Sequence, residues 1–273
     1  MNDPTEFCVE SEYGDLVAHD PGLASSFGAA AAAYAEHRPD YARAAVHWAL
    51  EAAPGRRVLD LGAGTGKLTA TLVELGIDVI AVEPDPAMLA ALQRELPTVH
   101  ALPGSAEAIP LPDSSVDAVV AGNAMHWFDM DVAGDEIARV LVPGGTLAGL
   151  WNVLDDRVDW IAALECVSGN AAIGPRDTLG NWRGATAGMH LPRGGTNPRF
   201  GSPEQAEFRH GQRRTADSFT ATLATRAGML LMPERECNAT LARIRDFLAR
   251  APETAHGEFI LPMLTGVLRV RRL

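Results

Sequence analysis

A glycine-rich segment between two acidic residues holds the side chains of this chain that are best suited to bind a ligand. Asp60 stands two residues ahead of three alternating glycines, Gly62, Gly64 and Gly66, and Glu83 ends a later apolar run. Glycines leave out the Cβ atoms that would keep a ligand away from the backbone. The two oxygens of Glu83 can accept hydrogen bonds from both hydroxyls of a ribose. The segment therefore predicts a binding site for a nucleoside with an anionic tail.

The apolar runs around these residues predict the elements that hold them in place. Residues 58–61 and 79–83 are typical of two buried strands. A helix predicted to begin near Thr65 would point its free N–H groups at the ligand, and such groups favour a carboxylate or a phosphate. The order of strand, turn, helix and strand indicates a parallel α/β unit with Asp60 and Glu83 at the carboxyl edge of its sheet.

The glycine spacing helps to decide which nucleoside this site would bind. A dinucleotide site has the pattern Gly-x-Gly-x-x-Gly, and its third glycine would fall on Lys67. The pattern Asp-x-Gly-x-Gly-x-Gly with a later acid resembles motifs I and II of the class I S-adenosylmethionine (SAM) methyltransferases. SAM carries an ammonium group, which NAD lacks and which Asp60 can hold directly or through water. A glycine turn without any ligand is the structural alternative.

Further segments extend this resemblance over about residues 25–155. The run Tyr-x-x-x-Arg-Pro-x-Tyr from Tyr34 to Tyr41 resembles the segment before motif I in one methyltransferase subgroup. Residues 104–117 resemble the adenine-binding motif of the ubiquinone-biosynthesis-like and "methyltransferase domain 11" proteins. The Leu-x-Pro-Gly-Gly turn at 141–145 also resembles this class. Gly-x-Ala-Glu followed by His-Trp-Phe-Asp looks closest to the trans-aconitate methyltransferases and to fungal small-molecule methyltransferases.

The resemblance implies a Rossmann-like α/β fold and a set of cofactor contacts. The fold would be a seven-stranded, mostly parallel sheet with helices on both faces, an N-terminal helical lid and a C-terminal insertion or cap. Many relatives have Asp where Ser105 stands, so the hydrogen bond to the adenine would here lack a charge. No metal is implied. The implied SAM contacts are Tyr34, Arg38, Asp60, Gly62, Ala63, Gly64, Thr65, Gly66, Glu83, Pro84, Met88, Ser105, Ala106, Glu107, Asn123 and Ala124.

Three of these side chains also have a structural interpretation. Tyr34 would pack on the cofactor or on the core, and Arg38 would reach the SAM carboxylate or end a helix in solvent. Met88 would face the adenine or fill the core, as methionines commonly do. These alternatives stay open at the level of the sequence.

The residues after two later strands are predicted to face the methyl acceptor. Asn123 follows a strand predicted at 116–121, the fourth of the chain, and is expected beside the sulfonium. Trp127 offers an aromatic ring that would attract a sulfonium, and a position in the core is its alternative. Asn152 is expected to border the substrate. His126 is the candidate general base, since a histidine titrates near neutral pH. A structural histidine that holds the turn is the alternative for His126.

Composition limits the partners of the chain. Its 273 residues, of which 47% are hydrophobic, are enough for one large domain or for a domain with a cap. A net charge of -12 argues against a nucleic-acid partner, and no apolar run is long enough to span a bilayer. Cys8, Cys166 and Cys237 lie far apart without metal-ligand spacing, which favours free thiols and a cytoplasmic location. The oligomeric state cannot be predicted.

The chain is predicted to have four parts within one domain. They are a flexible acidic N-terminus (1–22), a helical lid (23–55), a SAM-binding core (56–155) and substrate-side helices with closing strands (156–273). The last part contains an insertion, 174–203, of a length that is typical of a lid or of a loop without fixed structure. Four arginines of this insertion could attract an anionic substrate. They are Arg176, Arg183, Arg193 and Arg199.

The predicted function is therefore a SAM-dependent methyltransferase. It would move the sulfonium methyl group to a small-molecule acceptor, with a carboxylate or hydroxyl oxygen preferred, by in-line displacement. A carboxylate is already ionised at neutral pH and needs no base, whereas a hydroxyl would use His126. A SAM-binding protein without catalysis is the alternative, and an NAD-linked oxidoreductase is a weaker one.

Overall fold

One seven-stranded sheet runs through the computed structural model, which describes residues 38–174, 177–179, 182–183 and 199–273. The strand order in the sheet is β3-β2-β1-β4-β5-β7-β6. The strands are β1 (Arg57–Leu61), β2 (Asp78–Glu83), β3 (His100–Pro103), β4 (Val116–Gly122), β5 (Leu141–Leu154), β6 (Glu204–Arg214) and β7 (Phe259–Arg271).

Helices within the described residues lie between the strands and in the C-terminal part. A single turn of 3-10 helix, Met125–Trp127, follows β4. The α-helices are α1 (Arg43–Leu50), α2 (Lys67–Glu74), α3 (Pro86–Glu95), α4 (Met130–Val140), α5 (Asp159–Ser168), α6 (Ala216–Ala224), α7 (Ala227–Leu230) and α8 (Glu234–Arg250).

The sheet is parallel from β3 to β5, and only β7 runs in the opposite direction. β1 pairs in parallel with β2 and β4, β2 with β3, and β4 with β5. β7 lies antiparallel between β5 and β6. This arrangement confirms the predicted seven-stranded, mostly parallel sheet. Because the first five strands are parallel, their carboxyl ends meet at one edge, where the chain carries its polar residues.

Side chains alternate between two covered faces of the sheet. Leu59 and Leu61 of β1 pack with residues of α4, whereas Val58 packs with α1 and α2. Asp60 is therefore on the α1 and α2 side of the sheet, two residues along from Val58. A third cluster joins α5, α6 and α8 to the first half of β7. These C-terminal helices form a cap on the protruding end of the β6–β7 pair.

Two element boundaries differ from the sequence-based expectation. The helix predicted to begin near Thr65 begins at Lys67, because Gly66 adopts a left-handed N-cap conformation that holds the turn open for two more residues. The turn predicted at 141–145 lies inside β5 as an irregularity. Its pairing with β4 passes from Leu141 to Thr146 while β4 advances from Val116 to Ala118, so the extra residues bulge out of the ladder.

The described part of the insertion is attached to the sheet through Trp182. Its indole is buried and lies 6.4 Å from the ring of Trp151 on β5. A Cβ on Gly266 of β7 would come within 2.5 Å of the Trp182 ring. Because glycine has no side chain, Gly266 leaves the space that the Trp182 indole occupies. The remainder of 175–198 lies outside the described residues, apart from 177–179 and 182–183.

Candidate active site

The glycine turn after β1 folds back on the end of β2. The N–H groups of Gly62 and Ala63 both donate to the carbonyl oxygen of Val82, at 2.9 and 3.1 Å. Gly62, Gly64 and Gly66 have positive φ angles of 68°, 57° and 90°, a region that residues with a Cβ disfavour. The alternating glycines of the sequence therefore meet a requirement of the backbone itself.

The three glycines differ in what lies beside them. A Cβ on Gly62 would lie 2.9 Å from the Cβ of Ala124, and one on Gly66 would lie 3.0 Å from a leucine side chain of α3. Among the described residues, a Cβ on Gly64 would meet only the sulfur of Met88, at 3.7 Å. Gly62 and Gly66 are therefore packed against the protein, whereas Gly64 has the room that a close approach of a ligand requires.

Glu83 contacts this turn from the end of β2. Its Oε2 accepts a hydrogen bond from the Gly64 N–H at 2.7 Å, and its Oε1 accepts one from the Asp85 N–H at 2.9 Å. Burial raises the pKa of Glu83, and the two N–H donors partly oppose this effect. Because each carboxylate oxygen has a second lone pair, the predicted contact with a ribose is chemically compatible with both bonds.

Asp60 is buried beneath the turn with half of its carboxylate unused. The hydroxyl group of Thr69 on α2 donates to Oδ2 at 2.6 Å. Oδ1 is buried and has no hydrogen-bond partner among the described residues. The pKa of Asp60 is raised to about 7, chiefly by burial and also by the negative charge of Glu83, against the effect of the Thr69 hydrogen bond. A cationic ligand group at Oδ1 would hold the carboxylate in its ionised form.

Helix α3 begins just after Glu83 and brings Met88 to the turn. Pro84 and Asp85 connect the strand to the helix, and the Asp85 Oδ1 accepts hydrogen bonds from the N–H groups of Ala87 and Met88 at 2.8 and 2.9 Å. Asp85 is therefore the N-cap of α3. Met88 is buried next to Gly64, so both the adenine contact and the core position remain compatible with its place.

The segment after β3 lies beside the region that follows β4. Ala106 is buried, and a short bridge joins Ser105 to Ala108. The Oε1 of Glu107 accepts a hydrogen bond from the Asp129 N–H at 3.0 Å. Glu107 thus connects the two segments to each other, while its predicted contact with SAM, like those of Ser105 and Ala106, remains a prediction.

Asn123 is the centre of a hydrogen-bond network at the carboxyl end of β4. It has a left-handed φ angle of 51°, and its Oδ1 accepts hydrogen bonds from the Tyr41 hydroxyl and the Asn152 N–H, both at 3.0 Å. The Asn152 Nδ2 donates to the carbonyl oxygens of residues 39 and 40 at 3.2 and 3.1 Å, and its Oδ1 accepts from the Thr265 hydroxyl at 2.7 Å. The carboxamide of Asn152 is therefore engaged by the protein.

His210 on β6 extends this network toward the cap. Its Nε2 lies 3.2 Å from the Oγ1 of Thr265. The Asn152 Nδ2 faces two carbonyl groups, so the Asn152 Oδ1 is the atom that faces Thr265 and accepts the proton of its hydroxyl. Because the hydroxyl has only one proton to donate, the His210 Nε2 must carry a proton and donate to Thr265. Burial lowers the pKa of His210, and the negative charge of Asp40 partly opposes this effect.

Sequence reasoning did not single out Tyr41, Thr265 or His210 for the site. Tyr41 was visible as the last residue of the Arg-Pro-x-Tyr run, which could have indicated its importance. Thr265 and His210 belong to strands without any motif, and their partners are far away in sequence. Only the pairing of β6 with β7 and of β7 with β5 brings them to the network.

His126 and Trp127 lie in the 3-10 turn after Ala124. Their ring centroids are 4.9 Å apart at an angle of 44°, and Trp127 packs against the large core cluster as a partly buried residue. Both residues are thus on the segment that carries Asn123. The roles predicted for them toward the acceptor remain predictions, as does the structural alternative for His126.

Arg38 is not a solvated helix end. Its Nε donates to the Thr225 hydroxyl at 3.2 Å and its Nη2 to the Thr225 carbonyl oxygen at 3.1 Å. Arg38 thus joins the N-terminal segment to the end of α6. Tyr34, which was predicted to accompany Arg38 at the cofactor, lies outside the described residues.

Two of the four arginines in the insertion are paired with acidic residues. Arg183 forms an ion pair with Glu207, and Arg199 forms one with Asp135 at 3.0 Å. Their charge is therefore partly used within the protein. Arg176 and Arg193 lie outside the described residues. In the part of the chain that the structure covers, no group of three His, Cys, Asp or Glu side chains could hold a metal ion, and no helix is long and apolar enough to cross a membrane.

Known proteins are similar to this chain, and one of them is similar over most of its length. Residues 59–149 match a family model described as a methyltransferase domain. An uncharacterized methyltransferase of Mycobacterium tuberculosis is 40% identical over 248 residues, which cover 90% of this chain and 96% of that protein. An uncharacterized methyltransferase of Schizosaccharomyces pombe is 41% identical over 132 residues, which cover 47% of this chain and 53% of that protein.

A solved structure supports the same assignment. A protein assigned as a type II methyltransferase of Anaeromyxobacter dehalogenans superimposes with a TM-score of 0.63 and 28% identity, over 86% of this chain and 97% of that chain. None of these relatives is described as a trans-aconitate methyltransferase, so that narrower assignment remains a prediction. The seven-stranded fold, the domain match and the long alignment agree that the chain belongs to the class I methyltransferases.

Proposed function

We propose that this protein is a SAM-dependent methyltransferase that acts on a small-molecule acceptor. The observation that carries the proposal is the buried Asp60 carboxylate beneath the glycine turn. Its Oδ1 lacks a hydrogen-bond partner among the described residues, although it is fully buried. Such an atom is costly unless a ligand satisfies it, and the ammonium group of SAM is a ligand of the right charge.

The neighbouring residues suit the other parts of the same cofactor. Glu83 offers free lone pairs for ribose hydroxyls beside a glycine, Gly64, that leaves room for close approach. Met88 offers an apolar surface next to the turn for a flat base, and Ser105 with Ala106 would meet the edge of the adenine. Thr65 is buried at the turn, and its hydroxyl has no hydrogen-bond partner in the described ranges, so it is a further candidate contact.

Bound SAM would supply a methyl group on a sulfonium, which is already activated for transfer. The protein has to hold the acceptor in line with that methyl group and to exclude water. Asn123, His126 and Trp127 follow β4 and would border the reacting atoms. We infer an oxygen acceptor: a carboxylate would need no proton transfer, and a hydroxyl would lose its proton to His126. Loss of turnover in His126→Ala with unchanged cofactor binding would identify the second case.

Calorimetric titration with S-adenosylhomocysteine (SAH), the product form of the cofactor, tests the cofactor proposal. SAH keeps the ammonium group, so we expect wild-type protein to bind SAH and Asp60→Asn to bind it at least about tenfold more weakly, because a charge-assisted bond is lost. NAD should not bind.

The matched control is Asp78→Asn, which makes the same chemical change at an exposed site on the amino end of β2. We expect its SAH affinity to equal that of the wild type. Binding of NAD in place of SAH, or an Asp60→Asn variant with full SAH affinity, would contradict the proposal.

A further inference from the structure

The residues just before α1 form a strap across the carboxyl edge of the sheet. We use "strap" for residues 39–42. The Asn152 Nδ2 donates hydrogen bonds to the carbonyl oxygens of the first two strap residues, and the Ala42 N–H donates to the Thr265 hydroxyl at 3.0 Å. The strap is therefore bonded to β5 and β7 at backbone atoms, which fixes its path irrespective of its side chains.

Tyr41 is the strap residue that reaches the cofactor side of the sheet. Its ring is buried, and its hydroxyl donates to the Asn123 Oδ1 at 3.0 Å. A Cβ on Gly122 would lie only 2.6 Å from the Tyr41 hydroxyl oxygen. The glycine at the end of β4 thus provides the space in which the tyrosine hydroxyl meets the neighbouring asparagine.

The bonds to Asn123 determine which end of its carboxamide faces which way. The Asn152 N–H can only donate, so the atom that it meets at 3.0 Å must be the Asn123 oxygen. The Tyr41 hydroxyl bonds to the same oxygen. With Oδ1 turned toward β5 and the strap, the Nδ2 group of Asn123 is turned the other way. Asn123 lies one residue before Ala124, which packs on Gly62 of the glycine turn.

We propose that Tyr41 is a positioning residue that holds Asn123 as a hydrogen-bond donor toward the ligand site. The inference rests on the proposed function, since it assigns the space beside Gly62 to the cofactor and the acceptor. A donor at this place favours an oxygen atom, such as a ligand carboxylate or an acceptor oxygen, and disfavours an ammonium group. Tyr41 itself touches neither ligand; it acts through Asn123.

A double-mutant cycle with SAH as the probe tests this role. Tyr41→Phe removes one hydroxyl group, and we expect it to weaken SAH binding about fivefold, as the loss of one hydrogen bond predicts. Asn123→Ala should weaken binding by at least as much. In the Asn123→Ala background, Tyr41→Phe should have no further effect on SAH affinity, because the side chain through which it acts is gone.

The control variant is Arg43→Ala, which removes an exposed ion pair with Glu74 one residue beyond the strap. It should bind SAH as the wild type does. Thermal melting of each variant separates a loss of affinity from a loss of folded protein. Equal effects of Tyr41→Phe in both backgrounds, or full affinity of Tyr41→Phe, would overturn the positioning role alone. Absence of SAH binding by the wild type would overturn the proposed function as well.

Discussion

Asp60 is in a place that disfavours its charge in the ligand-free protein. Its carboxyl group is fully buried, and its pKa is raised from 3.8 to about 7, chiefly by that burial. A group with a raised pKa binds its proton more tightly in the folded than in the unfolded protein. Its contribution to stability is therefore complete below pH 4 and is lost as the pH rises through about 7.

Replacement by an uncharged side chain should remove this loss. We expect the free energy of unfolding of Asp60→Asn, relative to wild type, to increase between pH 4 and pH 8 by up to about 4 kcal/mol, because one pKa unit corresponds to about 1.4 kcal/mol. Urea unfolding at several pH values measures this difference. Asp78→Asn, at an exposed site, should show no such trend, and parallel curves for Asp60→Asn and wild type would contradict the prediction.

The same substitution should thus raise the stability of the protein relative to wild type as the pH rises toward 8, and weaken its binding of SAH. Both effects have one cause, since the charge that is costly in the empty site is the charge that the ligand needs. A residue retained only for packing would not show opposite signs in the two measurements.

At the scale of residues, the spacing in the sequence predicts site residues that are close to each other along the chain. Asp60, the three glycines and Glu83 lie within one strand–turn–helix–strand unit, so their spacing alone indicates a common site. The bond from Tyr41 to Asn123 spans 82 residues, and the one from Thr265 to Asn152 spans 113. Such partners meet only because of the order of the strands in the sheet, and the spacing of residues in one sequence does not reveal that order.

At the scale of elements, Arg269 connects one helix to two strands. It lies on β7 with its guanidinium 3.8 Å from the ring centroid of Trp48 on α1. It donates to the carbonyl oxygen of Trp48, and its Nη2 donates to Glu204 of β6 at 2.8 Å. Glu51, just after α1, adds an ion pair at 3.5 Å. A planar group with donors on several sides can make all of these contacts at once.

A lysine cannot reproduce this arrangement although it keeps the charge. We expect Arg269→Lys to lower the free energy of unfolding by about 3 kcal/mol, because a buried, multiply bonded charge loses partners. The control is Arg57→Lys, whose exposed ion pair with Asp78 should contribute less than about 1 kcal/mol. Urea unfolding compares the two variants. A similarly small loss of unfolding free energy in both would show that the guanidinium contacts of Arg269 are unimportant for stability.

The elements were more predictable than their ends. The apolar runs at 58–61 and 79–83 predict the buried strands β1 and β2 to within one residue at each end. The helix after the glycine turn begins at Lys67, two residues beyond its predicted start. The left-handed conformation of Gly66 sets this boundary, and hydrophobic periodicity gives no information about backbone conformation in a turn. The sequence predicts a turn where β5 has its bulge, since Pro-Gly-Gly residues favour both turns and bulges.

At the scale of the whole molecule, the cap and the sheet share elements. The first half of β7 packs with α5, α6 and α8, and its second half contributes to the large core cluster beneath the sheet. Arg38 bonds to Thr225 at the end of α6, while Tyr41, three residues later, bonds to Asn123 after β4. Because both parts are joined by the same short segment and the same strand, we expect them to unfold together.

Calorimetric melting should therefore show a single transition. Saturation with SAH at a hundred times its dissociation constant should stabilise the protein by about 2.7 kcal/mol. For a chain of this size, that corresponds to a rise of about 5 °C in the melting temperature. The whole peak should move, and NAD should leave it in place. Two peaks, of which SAH moves only one, would mean that the cap is an independent unit.

The position of β7 has a consequence for the way in which this sheet is assembled. β6 is made before β7, yet in the finished sheet it lies beyond β7 and pairs with no other strand of the described chain. If β5 and β6 form before residues 259–271 lie between them, each has an open hydrogen-bonding edge. Open edges of this kind are sites of wrong pairing between chains. Because β6 pairs with β7 and with no other strand of the described chain, it can join the five parallel strands only after β7 has paired with β5.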